Sequence, residues 1–240
     1  MVQEQFWSKE LFNIERVNKF VLSWVVLCVC LHSVVHSQQS DFVGLASARL
    51  VQPIDRFWSV QYAGQAMFNE NLHELWMGFG ELSVHRKLNK HFSTAFYYRL
   101  IGSRKVNDHY QQRNALFHTI SYHHAFGPWV FSIRSRNQIT RYGELGETPI
   151  RTDRWYSRNK ISLKRRFNYY YSASGSFEIF APLNGMRKFF PDQYRYTISF
   201  ESRINRFIET GCYYQLQHIA RKANINRYFV LGLQTTITLP

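Results

Sequence analysis

From about residue 57 to its last residues the chain alternates apolar and polar side chains with a period of two. That period belongs to a strand with two unlike faces and excludes a helical fold. Between Tyr169 and Ile179 the odd positions are Tyr169, Tyr171, Ala173, Gly175, Phe177 and Ile179. The even positions are Tyr170, Ser172, Ser174, Ser176 and Glu178. Tyr194, Tyr196, Ile198 and Phe200 alternate with Arg195, Thr197, Ser199, Glu201 and Arg203. Trp155, Ile161, Leu163 and Phe167 share one phase, opposed by Arg158, Lys160, Ser162, Lys164 and Arg166. Trp58, Val60, Tyr62, Gly64 and Ala66 oppose Ser59, Gln61, Ala63 and Gln65.

The breaks between alternating runs are of two kinds. Short turns fall at Asn89-Lys90, Gly127-Pro128, around Asn168 and at Asn205-Arg206. Longer polar connections fall near 68–72, 102–110, 142–154, 181–192 and 221–226. Tight periplasmic turns alternating with longer outer loops are a property of transmembrane β-barrels. The expected strands are 57–67, 72–88, 91–101, 113–126, 129–141, 154–167, 169–180, 192–204, 207–220 and 226–239. Each is near or above the roughly 9–11 residues that a tilted strand needs to cross hydrocarbon. The expected fold is an antiparallel transmembrane β-barrel of about ten strands with both ends in the periplasm. Segment 41–51 also looks strand-like, and its status is open: counted alone it makes eleven strands, and it could be a plug, a lip strand, or half of a further hairpin that would make twelve. Phe92, Trp129, Tyr169 and Phe207 each follow a short turn, and Trp58, Trp76 and Trp155 lie near strand ends. Those are the levels at which aromatic girdles meet lipid headgroups.

Composition supports this reading. Aromatic residues make up 17% of the chain, yet mean hydropathy is −0.35, as expected when alternating faces cancel in an average. Arg16 and Lys19 precede the apolar run Phe20 to Leu31, which has signal-peptide length and is too short to span a bilayer. Val35-His36-Ser37 then offers a cut after Ser37, so residues 1–37 are expected to be a signal peptide and 38–240 a single barrel domain. Removing 1–37 takes away three basic and three acidic groups and leaves the net charge at +14. Cys28 and Cys30 go with the leader. Cys212 remains alone, and one cysteine makes no internal disulfide.

At this point the sequence resembles the outer-membrane proteins of domain-of-unknown-function family 2490. The resemblance rests on Leu88-Asn89-Lys90-His91-Phe92 followed by Phe96-Tyr97-Tyr98-Arg99-Leu100. It extends through Asp153-Arg154, Arg158-Asn159-Lys160-Ile161-Ser162-Leu163, Tyr194-Arg195-Tyr196-Thr197-Ile198 and Asn226-Arg227-Tyr228-Phe229-Val230-Leu231-Gly232-Leu233. It implies an outer-membrane barrel with no assigned activity, and it brings no catalytic residues. The chain departs from outer-membrane proteins in general at its end, Thr238-Leu239-Pro240, where a terminal aromatic is common.

Candidate chemistry lies on the polar phases. Arg99, Arg134, Arg136, Arg158, Lys160, Lys164, Arg166, Arg195 and Arg203 are the expected lumen-facing basic residues, with Glu81, Glu178, Glu201 and Glu209. Charges near the membrane midplane must face inward, because facing lipid there costs about 2–4 kcal/mol. One reading is an ion-pair network filling a narrow barrel. A sharper one is a path or pocket for small anions, because guanidinium forks match carboxylate and phosphate. The basic residues are spread at strand spacing, so nucleic acid is not an expected partner. The expected partners are outer-membrane lipid, small anions and the barrel-assembly machinery. A lipid hydrolase is the second reading, with His91 and Ser93 two residues apart and His118, Ser121, His123 and His124 on another strand. A soluble periplasmic ligand-binding barrel is the third. His123 and His124 point to opposite strand faces and no Cys-x-x-Cys occurs. No metal, cofactor or catalytic residue is therefore assigned.

Overall fold

The computed structural model describes residues 42–69, 72, 74–104, 110–144, 147–185, 190–219 and 226–240. The expected leader and its cut after Ser37 lie outside these residues. The alternation becomes eleven strands and, among the described residues, no helix. They are β1 (Phe42–Pro53), β2 (Trp58–Asn69), β3 (Glu74–Lys87), β4 (Phe92–Arg104), β5 (Tyr110–Phe126) and β6 (Trp129–Glu144). The others are β7 (Glu147–Arg166), β8 (Tyr171–Pro182), β9 (Gln193–Arg203), β10 (Ile208–Ile219) and β11 (Asn226–Thr238). Every strand pairs with its neighbours in sequence, and β1 pairs with β11 to close the barrel.

The strand count corrects the expectation of ten or twelve. Segment 41–51 is neither plug nor lip: it is β1, a full wall strand in register with β2 on one side and β11 on the other. The count also corrects the purely antiparallel expectation. Strands joined by hairpins alternate in direction, so the first and eleventh run the same way and closure pairs them in parallel, Phe42 with Phe229 through Val51 with Thr238. All other pairs are antiparallel. The extra strand also separates the ends expected on one side. β1 enters at the long-loop end and β11 finishes at the short-turn end. Region 142–154, expected as a loop, instead lengthens β6 and β7, with register shifts between Thr140 and Glu144.

Four of the five short turns repeat one design. Asp55 accepts hydrogen bonds from the backbone N–H of Phe57 (2.6 Å) and Trp58 (2.7 Å). Asn89 accepts from His91 and Phe92, Asn168 from Tyr170 and Tyr171, and Asn205 from Phe207 and Ile208, all at 2.8 Å. The two N–H donors hold the Asp55 carboxyl below the usual carboxylate range. The fifth turn places Gly127 at φ 56°, where a side chain would be strained.

The wall is apolar on the outside. Phe96, Tyr98 and Leu100 on β4, Ile161 and Leu163 on β7, and Tyr196 and Ile198 on β9 are all exposed. The buried residues Ala95, Ala115, Phe117 and Val230 lie on the opposite, inward phase of their strands. Inside the wall Tyr213 lies across Gly232, its partner on β11. A Cβ at that glycine would stand 2.1 Å from the Tyr213 ring. Gly232→Ala is therefore expected to push the ring aside and to cost about 1–3 kcal/mol of stability. Urea unfolding in detergent micelles measures this, and an unchanged midpoint would contradict the packing described.

Candidate functional site: a basic lumen

The inward phases converge on a cavity of ≈ 860 Å³ inside the barrel. Six of the nine sequence-predicted basic residues line it: Arg99, Arg134, Arg136, Arg158, Lys160 and Arg195. Alternation places them there, since their neighbours in sequence, such as Ile133 and Ile161, are exposed on the outer face. Glu81, Glu178 and Glu201 are the acidic lining residues.

Glu178 on β8 is the hub. Its Oε1 accepts from Arg134 Nη2 at 2.7 Å, and its carboxylate also accepts from Arg158 Nε and Nη2 at 3.3 Å each. Arg195 Nη1 lies 3.6 Å from Oε2. Three guanidinium groups from β6, β7 and β9 thus share one buried carboxylate. Aromatic rings hold the same cations from their faces. Arg158 and Arg195 sit 4.4 and 4.8 Å from the centroid of Phe180. Arg136 lies over Tyr97 at 4.5 Å and Arg99 over Phe79 at 3.9 Å. Such contacts compensate part of the lost hydration of a buried cation. Arg99 is also ion-paired with Glu81, its Nε donating at 2.8 Å. Arg136 is buried and donates from Nε to Thr119 Oγ1 at 3.1 Å.

The other three predicted residues lie nearer the short turns. Lys164 pairs with Glu201. Arg203 stands 3.8 Å from Glu209 and over the Tyr169 ring at 5.0 Å. Arg166 is exposed at the last position of β7. Strand phase gave their face, and their depth follows only from the register. Arg49, on the segment left open in sequence, lines the cavity, as do Phe79, Tyr97 and Tyr213. Those aromatics could have been found by the phase argument that found the arginines.

His91 and Ser93 are not brought together. The His91 ring packs with Tyr122 at 5.8 Å and His124 at 5.4 Å, and its Nδ1 lies 3.0 Å from the His123 carbonyl oxygen. Ser93 falls on the inward phase of β4 with Tyr97 and Arg99. His118 stacks with exposed Phe96 at 4.6 Å, on the outer side. Cys212 is in no disulfide among the described residues.

A closed meander with a charged interior and an apolar exterior defines a β-barrel of the outer-membrane type. The chain belongs to the family described as Protein of unknown function (DUF2490), whose model matches residues 46–228. Among solved structures it is similar to the NanC porin in its rhombohedral crystal form, at 12% identity and a TM-score of 0.50, covering 83% of this chain and 99% of that one. It is also similar to the beta domain of the Bordetella autotransporter BrkA, at 7% identity and a TM-score of 0.41, covering 72% and 79% of the two chains. No curated protein matches the sequence significantly.

Glu178→Gln tests the hub. It removes the charge that Arg134, Arg158 and Arg195 share and leaves three cations facing one another. The expected loss is on the order of 3 kcal/mol, as for breaking a buried ion pair from one side. Urea titration in micelles reads it. A variant as stable as the parent would show that the hub does not hold the wall together.

Proposed function

We propose that the protein is an outer-membrane barrel whose basic lumen admits small anions, with the short turns in the periplasm and the longer loops outside. The observation that carries this reading is the charge of the cavity wall, seven basic side chains against three carboxylates. All three carboxylates are engaged, Glu81 by Arg99, Glu178 by its three arginines and Glu201 by Lys164. Arg49, Arg136 and Lys160 have no ion pair among the described residues. Arg134 Nε and Arg195 Nε are buried donors without an acceptor among the described residues. Unspent donors and excess positive charge in a walled space favour carboxylate, phosphate or halide over cations. The exposed apolar belt supports the membrane setting, since it would otherwise face water. On this reading outer-membrane lipid and the barrel-assembly machinery are its partners, and no residue is assigned a catalytic role.

A closed, structural barrel is the second reading. It is favoured by the Glu178 clasp, whose side chains reach into the lumen from four strands. Reversal potentials in planar bilayers under a potassium chloride gradient separate the two. The proposal expects conductance selective for chloride, with selectivity falling toward unity in an Arg136→Gln, Lys160→Gln double variant. A non-conducting or cation-selective parent would contradict it.

A further inference from the structure

The two ends of the barrel differ in charge. Within two residues of the five short turns the sequence carries eight basic side chains and two carboxylates. Around the five longer connections the same count is seven basic and six acidic.

The excess at the short-turn end is organised. Arg86 faces Trp58 across the β2–β3 ladder, with its guanidinium 5.0 Å from the indole centroid. Arg165 faces Trp129 across the β6–β7 ladder and lies 5.3 Å from that ring and 5.4 Å from Phe167. At the turn tips Arg56 covers Phe57 at 4.5 Å and Arg206 covers Phe207 at 4.6 Å. None of these four arginines makes an ion pair among the described residues.

Arg86 and Arg165 stand on the outer phase of the wall. Each continues an exposed apolar run, Leu82 and Val84 on β3 and Ile161 and Leu163 on β7. A charge on the lipid-facing side is tolerated only where hydrocarbon gives way to headgroups. Each guanidinium lies over an aromatic ring, and an arginine held by a ring still carries the donor fork that matches a phosphate. At the long-loop end the comparable outward residue, Arg141, has Asp153 at 3.4 Å.

We infer that this arginine–aromatic collar is a docking surface for the phosphates of anionic glycerophospholipids in the leaflet that meets the short turns. The inference rests on the membrane setting proposed above and is independent of conduction. The outward phase of Arg86 and Arg165, directly beyond the apolar belt, favours lipid over an acidic soluble protein.

The test uses the full chain reconstituted in phosphatidylcholine vesicles, with spin-labelled phosphatidylglycerol and spin-labelled phosphatidylcholine as probes. The motionally restricted fraction of each gives their relative association constant with the barrel. The parent is expected to prefer phosphatidylglycerol by roughly threefold or more at low salt, in keeping with the attraction of basic groups to anionic lipid. The preference should fall toward unity in Arg86→Gln, Arg165→Gln and persist in Arg141→Gln. Equal association in the parent would leave the collar to an acidic soluble partner and overturn the inference. So would a preference that survives the double variant or is lost in Arg141→Gln. A change of electrophoretic mobility on boiling reports insertion of each variant. Failure of the parent to insert sinks the membrane reading, whereas insertion without preference sinks the collar alone.

Discussion

Closure of the hydrogen-bonded ladder is the constraint on which the rest of this structure depends. In hydrocarbon no water can satisfy a free N–H or C=O, so a sheet that spans a membrane must have no edge. Ten hairpin-joined pairs satisfy most of the wall without long-range search. The last pair must be made between the first and last strands. With eleven strands it is parallel, and its evenly spaced, slanted bonds are slightly weaker per residue. The seam is reinforced nearby: Leu239 N–H donates to the Val51 carbonyl at 2.8 Å and Ser47 Oγ to the Leu233 carbonyl at 3.3 Å.

Once the wall is closed, the period of two sorts the chemistry. Apolar side chains go out, and everything charged that lies between the rims goes in. The interior then has to solve the problem of several cations in a small space. It does so with one shared carboxylate at Glu178, local pairs at Glu81 and Glu201, and rings at Phe79, Tyr97 and Phe180 that take the faces of guanidinium groups. At the short-turn rim the same arginine–ring pairing recurs on the outside of the wall. One local device thus serves two surfaces that the wall keeps apart.

Ten of the eleven strands were legible because their faces differ strongly in polarity. β1 was ambiguous for a physical reason: Ala46 and Ala48, exposed on its outer face, are too small to announce an apolar side, while apolar Val43 and Leu45 share the inner face with Ser47 and Arg49. The hairpin of β6 and β7 reads as a polar loop because its outer part lies where polarity no longer alternates. The turn at Asp55 was missed although it repeats the Asx pattern of Asn89, Asn168 and Asn205, since it follows the strand that was left open. Phase also identified six of the seven arginines and lysines of the cavity, all but Arg49. It could not separate them from Lys164, Arg166 and Arg203, because alternation reports a face and says nothing of height along the barrel.

The most direct test of a closed, membrane-embedded barrel is electrophoretic mobility before and after boiling, on protein taken from the outer-membrane fraction of expressing cells. A closed ladder without edges resists detergent at ambient temperature. The account therefore predicts a membrane-fraction protein whose mobility changes on boiling. A soluble protein with one mobility under both conditions would contradict it.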